Sequence, residues 1–251
     1  MSSERRENGL DIEEVVWPPT DTYRILHVDD DPEFVKFASE FLEREDDTFD
    51  ISTETSANDA LDRFSMEDLD CIVSDYDMPG TDGLAFLREL RTRYPDLPFI
   101  LFTGKGSEKI AGEAISAGVT DYLQKGRDTS QYTLLANRIR NAIDRYRANE
   151  QVIHGFKALE TAREGISLLD EDGYFLYVNE AFAETTGYAR EKLLDTHWEF
   201  LYPEDEADII HDEILPTVPV DDRWSGVTTY VRKDGERIRV DHASVVPKTR
   251  R

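Results

Sequence analysis

The 251-residue chain carries 54 Asp plus Glu against 29 Lys plus Arg, a formal charge of −25, and a single cysteine. A charge so negative, spread along the whole length, argues against direct binding to duplex DNA or to anionic lipid. One cysteine excludes an internal disulfide framework or a cysteine metal site. No apolar stretch reaches the length of a membrane span, and Met1 to Asn8 lacks a signal-peptide apolar region, so the reading is a soluble cytoplasmic chain of one large or two ordinary domains.

Residues 1–22 are polar, contain Pro18-Pro19 and show no period, which predicts a flexible N-terminal arm. From Tyr23 onward short β-rich runs alternate with helical patterns, the signature of a doubly wound parallel α/β sheet; residues 23–130 are its expected core. In the first helix Pro32 follows an Asp cap, and Phe34, Phe37, Ala38, Phe41 and Leu42 are expected on one face. Further helices are expected at 57–65, 83–93, 107–117 and 131–147. Residues 131–163 form the last helix of this half and a helical linker. There Ile139, Ile143, Tyr146, Ile153, Phe156 and Leu159 recur at three, four or seven residues. That stripe serves either packing on the chain's own domains or a homodimer seam, with Gly155 as a local weak point. Residues 164–251 read as an α+β domain with an antiparallel sheet: one hairpin over Ile166–Leu169 and Phe175–Val178, short acidic helices, then a hairpin turning at Lys233-Asp234-Gly235.

Four apolar strands of the first half end on reactive residues. Ile25–Val28 precedes Asp29-Asp30, Cys71–Ser74 precedes Asp75, Phe99–Phe102 precedes Thr103, and Val119–Gln124 precedes Lys125. Functional groups of parallel sheets collect at strand carboxyl ends, so the four ends predict one site. Converging carboxylates repel unless a hard cation joins them, which makes Asp29, Asp30 and Asp75 a candidate Mg²⁺ site. Taken singly, Thr103 reads as a helix cap, Lys125 as a solvated loop residue and Tyr122 as a half-buried strand aromatic; the joint pattern favours chemistry.

The runs Ile-Leu-His-Val-Asp-Asp-Asp-Pro, Ile-Val-Ser-Asp-Tyr-Asp-Met-Pro-Gly-Thr-Asp-Gly, Phe-Thr-Gly and Asp-Tyr-Leu-Gln-Lys together resemble the receiver domain of two-component response regulators, over residues 23–147. The resemblance implies a flavodoxin-like five-stranded sheet of order 2-1-3-4-5 and makes Asp75 the acceptor of a phosphoryl group from a sensor histidine kinase. It implies Mg²⁺ held directly by Asp30 and Asp75, by Asp29 through water and by the backbone carbonyl of Asp77. It makes Lys125, Thr103 and Tyr122 the phosphoryl-binding and switch residues, and Asp77 and Lys105 the positions that tune acyl-phosphate lifetime. Gly126 departs from the family, which usually has proline after the lysine.

In the second half Gly165-Ile-Ser-Leu-Leu-Asp-Glu-Asp-Gly173, Tyr177-Val-Asn-Glu-Ala-Phe182, Thr186-Gly-Tyr188 and Tyr202-Pro-Glu-Asp205 resemble a PAS domain, one expected to lack its last strand. No cofactor is implied there: the segment has no cysteine for a flavin adduct, and His197, His211 and His242 sit in no haem-ligand motif. Without a kinase histidine box or a basic helix-turn-helix, the expected protein is not an enzyme beyond handling its own Asp75 phosphoryl group, and its output is protein contact. Two alternatives compete. Asp75-Tyr-Asp77 also resembles an Asp-x-Asp phosphatase motif, and the missing strand suits a remnant of a longer hybrid kinase.

The acidic surface resembles that of proteins from salt-accumulating cells. Charge self-repulsion reaches about 8 Å at physiological ionic strength and about 3 Å at 1 M. Thermal unfolding should therefore move upward as KCl is raised to molar concentration, and a melting temperature that stays flat or falls would refute this reading.

Overall fold

A computed structural model of the chain describes residues 22–104, 108–126, 128–203, 206, 210 and 223–245. The expected arm, apart from Thr22, lies outside the described residues, as do Lys105, His211 and the C-terminal six residues. The chain forms two compact units divided between Glu150 and Gln151. Among the described residues no helix is long and apolar enough to cross a membrane.

The first unit runs β1 (Tyr23–Val28), α1 (Pro32–Glu45), β2 (Phe49–Glu54), α2 (Ala57–Arg63), β3 (Cys71–Ser74), α3 (Gly83–Arg91), β4 (Phe99–Thr103), α4 (Glu108–Ser116), β5 (Asp121–Gln124) and α5 (Ser130–Thr161). Its five strands are all parallel in the order β2-β1-β3-β4-β5, the predicted flavodoxin-like topology. Strands β3 and β4 are buried throughout, which is why they read as continuous apolar runs. Pleating sends alternate residues to opposite faces: Leu26, Ile72, Phe99 and Leu101 pack with Phe86 and Leu87 on one side. Ile25, Val73, Ile100 and Phe102 pack with Leu135 and Ile139 on the other.

Helix α1 starts as predicted, with the Asp31 carboxylate accepting from the N–H groups of Glu33 and Phe34 at 3.0 Å each. Its buried face differs from the expected one. Val35, Ala38, Ser39 and Leu42 face the sheet, while Phe37 is 53% exposed. The larger rings are displaced to the rim, where Phe37 and Phe41 meet Tyr132 with centroids 5.8 and 5.0 Å apart.

Helix α5 continues unbroken through Gly155. Tyr132, Leu135, Ala136, Ile139, Ala142 and Ile143 are buried on it. Arg140 is paired with Asp46, and Arg147 donates from Nε to Asp70 Oδ1 at 3.0 Å. Ile139 and Ile143 therefore belong to the unit's own core, not to a seam between subunits.

In the second unit β6 (Ser167–Leu169) and β7 (Phe175–Val178) form the predicted hairpin, with the Asp170 carboxylate accepting from the N–H groups of Asp172 and Tyr174 at 3.0 and 2.8 Å. Helix α6 (Glu180–Thr186) is capped by Asn179, whose amide is fully buried. Asn179 Oδ1 accepts from Phe182 and Ile166, and Nδ2 donates to the carbonyls of Leu159 and Glu164. One side chain thus ties the end of α5, the first strand and α6 together. A short α7 (Arg190–Leu193), a 3-10 turn at Trp198–Leu201 and the hairpin β8 (Arg223–Val231) and β9 (Arg237–Val245) complete the unit. The two hairpins are separate two-stranded sheets among the described residues.

Gly83 opens α3 directly behind Asp75. A Cβ there would lie 2.2 Å from the Asp75 carbonyl oxygen and 2.9 Å from Leu101 Cδ1. Gly83→Ala should cost about 1–3 kcal/mol, the usual range for overpacking, and shift Asp75 as well. Urea unfolding followed by circular dichroism would register this as a lower midpoint for the first unit.

Candidate functional site

The ladder of the sheet extends past the strand ends and fixes the backbone of each functional residue. Asp29 N–H donates to the Glu54 carbonyl at 3.1 Å, Asp75 N–H to Val28 at 2.8 Å, and Lys125 N–H to Thr103 at 2.8 Å. Asp29 and Asp75 follow the neighbouring strands β1 and β3, and Lys125 follows β5 two strands further on, so all three side chains lie at the carboxyl edge of one parallel sheet. Lys125 Nζ donates to Asp29 Oδ2 at 2.5 Å and to Asp75 Oδ1 at 2.7 Å. The remaining oxygens are also engaged. Asp29 Oδ1 accepts from Asp31 N–H at 3.1 Å and Asp75 Oδ2 from Asp77 N–H at 2.6 Å.

Both carboxylates are buried, Asp29 at 2% and Asp75 at 5% exposure. Burial raises the pKa of the Asp29 carboxyl; the Lys125 ammonium and the Asp31 N–H pull it back down, while the Asp75 charge pushes it up again. The ammonium lies 4.3 Å from the centroid of the Phe34 ring and 5.9 Å from that of Phe102, a cation–π seat beneath the ion pairs. Behind it the fully buried His27 is held neutral, its pKa lowered to about 3 by desolvation and then by the Lys125 charge.

Of the residues expected from sequence, Asp29, Asp75 and Lys125 are in direct contact. Thr103 is fully buried at the end of β4. Asp30 and Asp77 are exposed on the rim, Asp77 contributing its N–H to Asp75. Tyr122 is half-buried against the Leu26 side of the sheet, with its hydroxyl buried and without a hydrogen-bond partner among the described residues. No group of three or more His, Cys, Asp or Glu side chains is arranged to hold a metal ion among the described residues. The lysine joins two of the three predicted ligands instead. The donor set is nevertheless all oxygen, and Mg²⁺ is ordinarily held by only one or two carboxylates together with several waters, so these residues suit it.

Two contributors escaped the sequence reading. Phe34 seats the ammonium; its place in the helix pattern marked it only as a core residue. Gln131 clamps the loop at Gly126, where its Oε1 accepts from the Gly126 N–H and its Nε2 donates to the Gly126 carbonyl at 3.0 Å. That pair holds the loop at the position where the family usually has proline.

Residues 25–137 match the family described as the response regulator receiver domain, and residues 163–249 match the PAS domain family. The chain is a receiver domain followed by a PAS domain. The bacterioopsin transcriptional activator of Halobacterium salinarum is 24% identical over 231 residues, 85% of this chain and 34% of its own length. The C4-dicarboxylate transport transcriptional regulatory protein DctD of Rhizobium meliloti is 33% identical over 147 residues, 59% of this chain and 31% of its own. This chain therefore spans about a third of either curated relative. Among solved structures, a receiver domain protein from Clostridium thermocellum is 29% identical with a TM-score of 0.46, covering 50% of this chain and 98% of that one.

The raised pKa of Asp29 sets a sign. Its protonated form carries stability that is present at acid pH and lost as pH rises through the folded value. Asp29→Asn should therefore unfold at higher urea than the parent at neutral pH, with the gain shrinking as the pH is lowered through that value. A variant less stable than the parent at neutral pH would show that Asp29 is net stabilising when ionised.

Proposed function

We propose that the chain is a phosphorylation-controlled response regulator in which Asp75 takes a phosphoryl group from the phosphohistidine of a sensor histidine kinase. The observation that carries this reading is Lys125 bridging the buried Asp29 and Asp75 carboxylates at the carboxyl edge of the sheet. Phosphoryl transfer depends on a positioned nucleophile and on cations that take up charge as the group moves. Asp75 is positioned by the Asp77 N–H and the Lys125 ammonium. Its oxygen attacks phosphorus, the phosphorus–nitrogen bond to the donor imidazole breaks, and that imidazole leaves with a proton.

Mg²⁺, when bound, would neutralise the transferring group, with Asp30, Asp75 and the Asp77 carbonyl as ligands and Asp29 acting through water. Lys125 then turns from its carboxylate partners to a phosphoryl oxygen, and the Thr103 hydroxyl at the end of β4 offers a second donor. Tyr122, whose buried hydroxyl has no hydrogen-bond partner among the described residues, follows that movement. The chain turns over no other substrate in this reading, and with a charge of −25 its output runs through protein contacts in the cytoplasm. The curated relatives named as transcriptional regulators extend well beyond the part they share with it.

Acetyl phosphate or a phosphoramidate with Mg²⁺ should add one phosphoryl group to the wild-type chain. Asp75→Asn should remove the label, and Lys125→Ala should reduce it by at least an order of magnitude, within the span typical of lost electrostatic stabilisation. Equal labelling of Asp75→Asn, read by mass spectrometry, would overturn the assignment. Hydrolysis of small phosphomonoesters would favour the phosphatase reading instead.

A further inference from the structure

The main chain is pinned on both sides of Lys125, and on one side the pin is a single side chain. The Lys125 N–H donates to the Thr103 carbonyl at 2.8 Å, which holds the peptide before the lysine in the ladder of the sheet. The peptide after it carries the Gly126 N–H, and that group donates to Gln131 Oε1. Gln131 Nε2 returns a bond to the Gly126 carbonyl at 3.0 Å, so one carboxamide grips Gly126 from both ends. Peptide units are planar, and φ and ψ are the only soft angles between them. Fixing the planes before and after Lys125 therefore fixes both of its backbone angles, and with them the direction in which its side chain leaves the chain. Gly126, with no Cβ, supplies no such restraint of its own.

The start of α5 is secured by other groups. The Asp128 carboxylate accepts from the Ser130 N–H at 3.1 Å and from the Ser130 hydroxyl. The Tyr132 N–H donates to the Thr129 carbonyl at 3.1 Å, and Tyr132 itself is buried in the core. Gln131 sits in this anchored turn and directs both its acceptor and its donor to the loop. Lysine is a point charge on a flexible four-carbon stem, so its reach is only as definite as the backbone from which it starts. Here the ammonium meets Asp29 Oδ2 and Asp75 Oδ1 while resting over the Phe34 ring.

We infer that Gln131 is a positioning residue for Lys125, its carboxamide fixing the main chain from which the ammonium reaches the two carboxylates. The effect on rate rests on the phosphoryl-transfer reading above; the effect on the lysine does not. Both are measured on the full chain. Gln131→Met keeps the length of the side chain and removes its donor and acceptor. It should slow acetyl phosphate labelling of Asp75 in Mg²⁺ about tenfold, against the roughly hundredfold that a misplacement of about 1 Å can cost. In a Lys125→Ala background the same change should slow labelling no further, because residues that act through one another are not additive. The second readout needs no phosphoryl group. In a carbon NMR spectrum of isotope-labelled lysine, the Lys125 ε-methylene beside the Phe34 ring should resonate upfield of exposed lysines and be absent from Lys125→Ala. In Gln131→Met it should move toward the exposed value. An unchanged labelling rate in Gln131→Met, an equal proportional slowing in the Lys125→Ala background, or an unmoved methylene resonance would each overturn the inference. If the wild-type chain takes no label, the phosphoryl-transfer reading falls, and the methylene resonance still decides whether Gln131 sets the lysine.

Discussion

One ammonium group shared by two buried carboxylates is the interaction on which the first unit's chemistry depends. Asp29 and Asp75 are each almost wholly removed from water, and two such anions side by side are tolerated only with a cation between them. Lys125 is that cation, and it is held from both sides, by carboxylate oxygens above and by the Phe34 ring below. Loss of the Lys125 ammonium would leave two buried carboxylates uncompensated, a change that typically costs about 3–5 kcal/mol, so site and fold constrain one another. The arrangement is also poised for exchange. In the proposed reaction the same charge would pass to the incoming phosphoryl group and leave the carboxylates to a divalent ion.

The sheet delivers these groups because its strands are parallel and their order reverses beside β1. Asp29 and Asp75 leave neighbouring strands at the same edge, and Lys125 reaches them from β5, two strands beyond β3. Bonds such as Asp75 N–H to Val28 and Lys125 N–H to Thr103 prolong the ladder into the site, so the loops that carry it begin from hydrogen-bonded backbone. Gly83 and Gln131 reinforce those loops from behind, the first by yielding space to the Asp75 carbonyl and the second by gripping Gly126.

Much of this was legible in the sequence, because each reactive residue stands directly after an apolar run and strand polarity does the rest. Asp29, Asp75 and Lys125 needed only that rule. The direction of a helix face was harder to read. In α1 the period is correct but the buried stripe is centred on Val35 and Ser39, and Phe37 meets Tyr132 edge-on at the rim instead of facing the sheet. In α5 the spacing of Ile139 and Ile143 suits a partner helix as well as it suits the chain's own sheet, and only the fold decides that they are internal. The cation site was anticipated from carboxylate repulsion and from the family resemblance; the contacts of Lys125 with two of those carboxylates were not, because the pattern placed the lysine nearby without fixing its partners. Gln131 carries no local signal at all, since its role appears only once the loop has turned back on α5.

His27 and Asp29 are two residues apart on one strand, and burial moves their proton affinities in opposite directions. On acidification the unfolded chain takes up a proton at His27 that the folded chain refuses down to about pH 3, which weakens the fold as pH falls below the free imidazole value of about 6.5. Asp29 does the reverse: between the free carboxylate value of about 3.9 and its own higher folded value, the folded chain holds a proton that the unfolded chain has released. Where the two windows overlap, the two slopes have opposite signs. Two buried groups at the end of β1 thus pull the pH dependence of the fold in opposite directions.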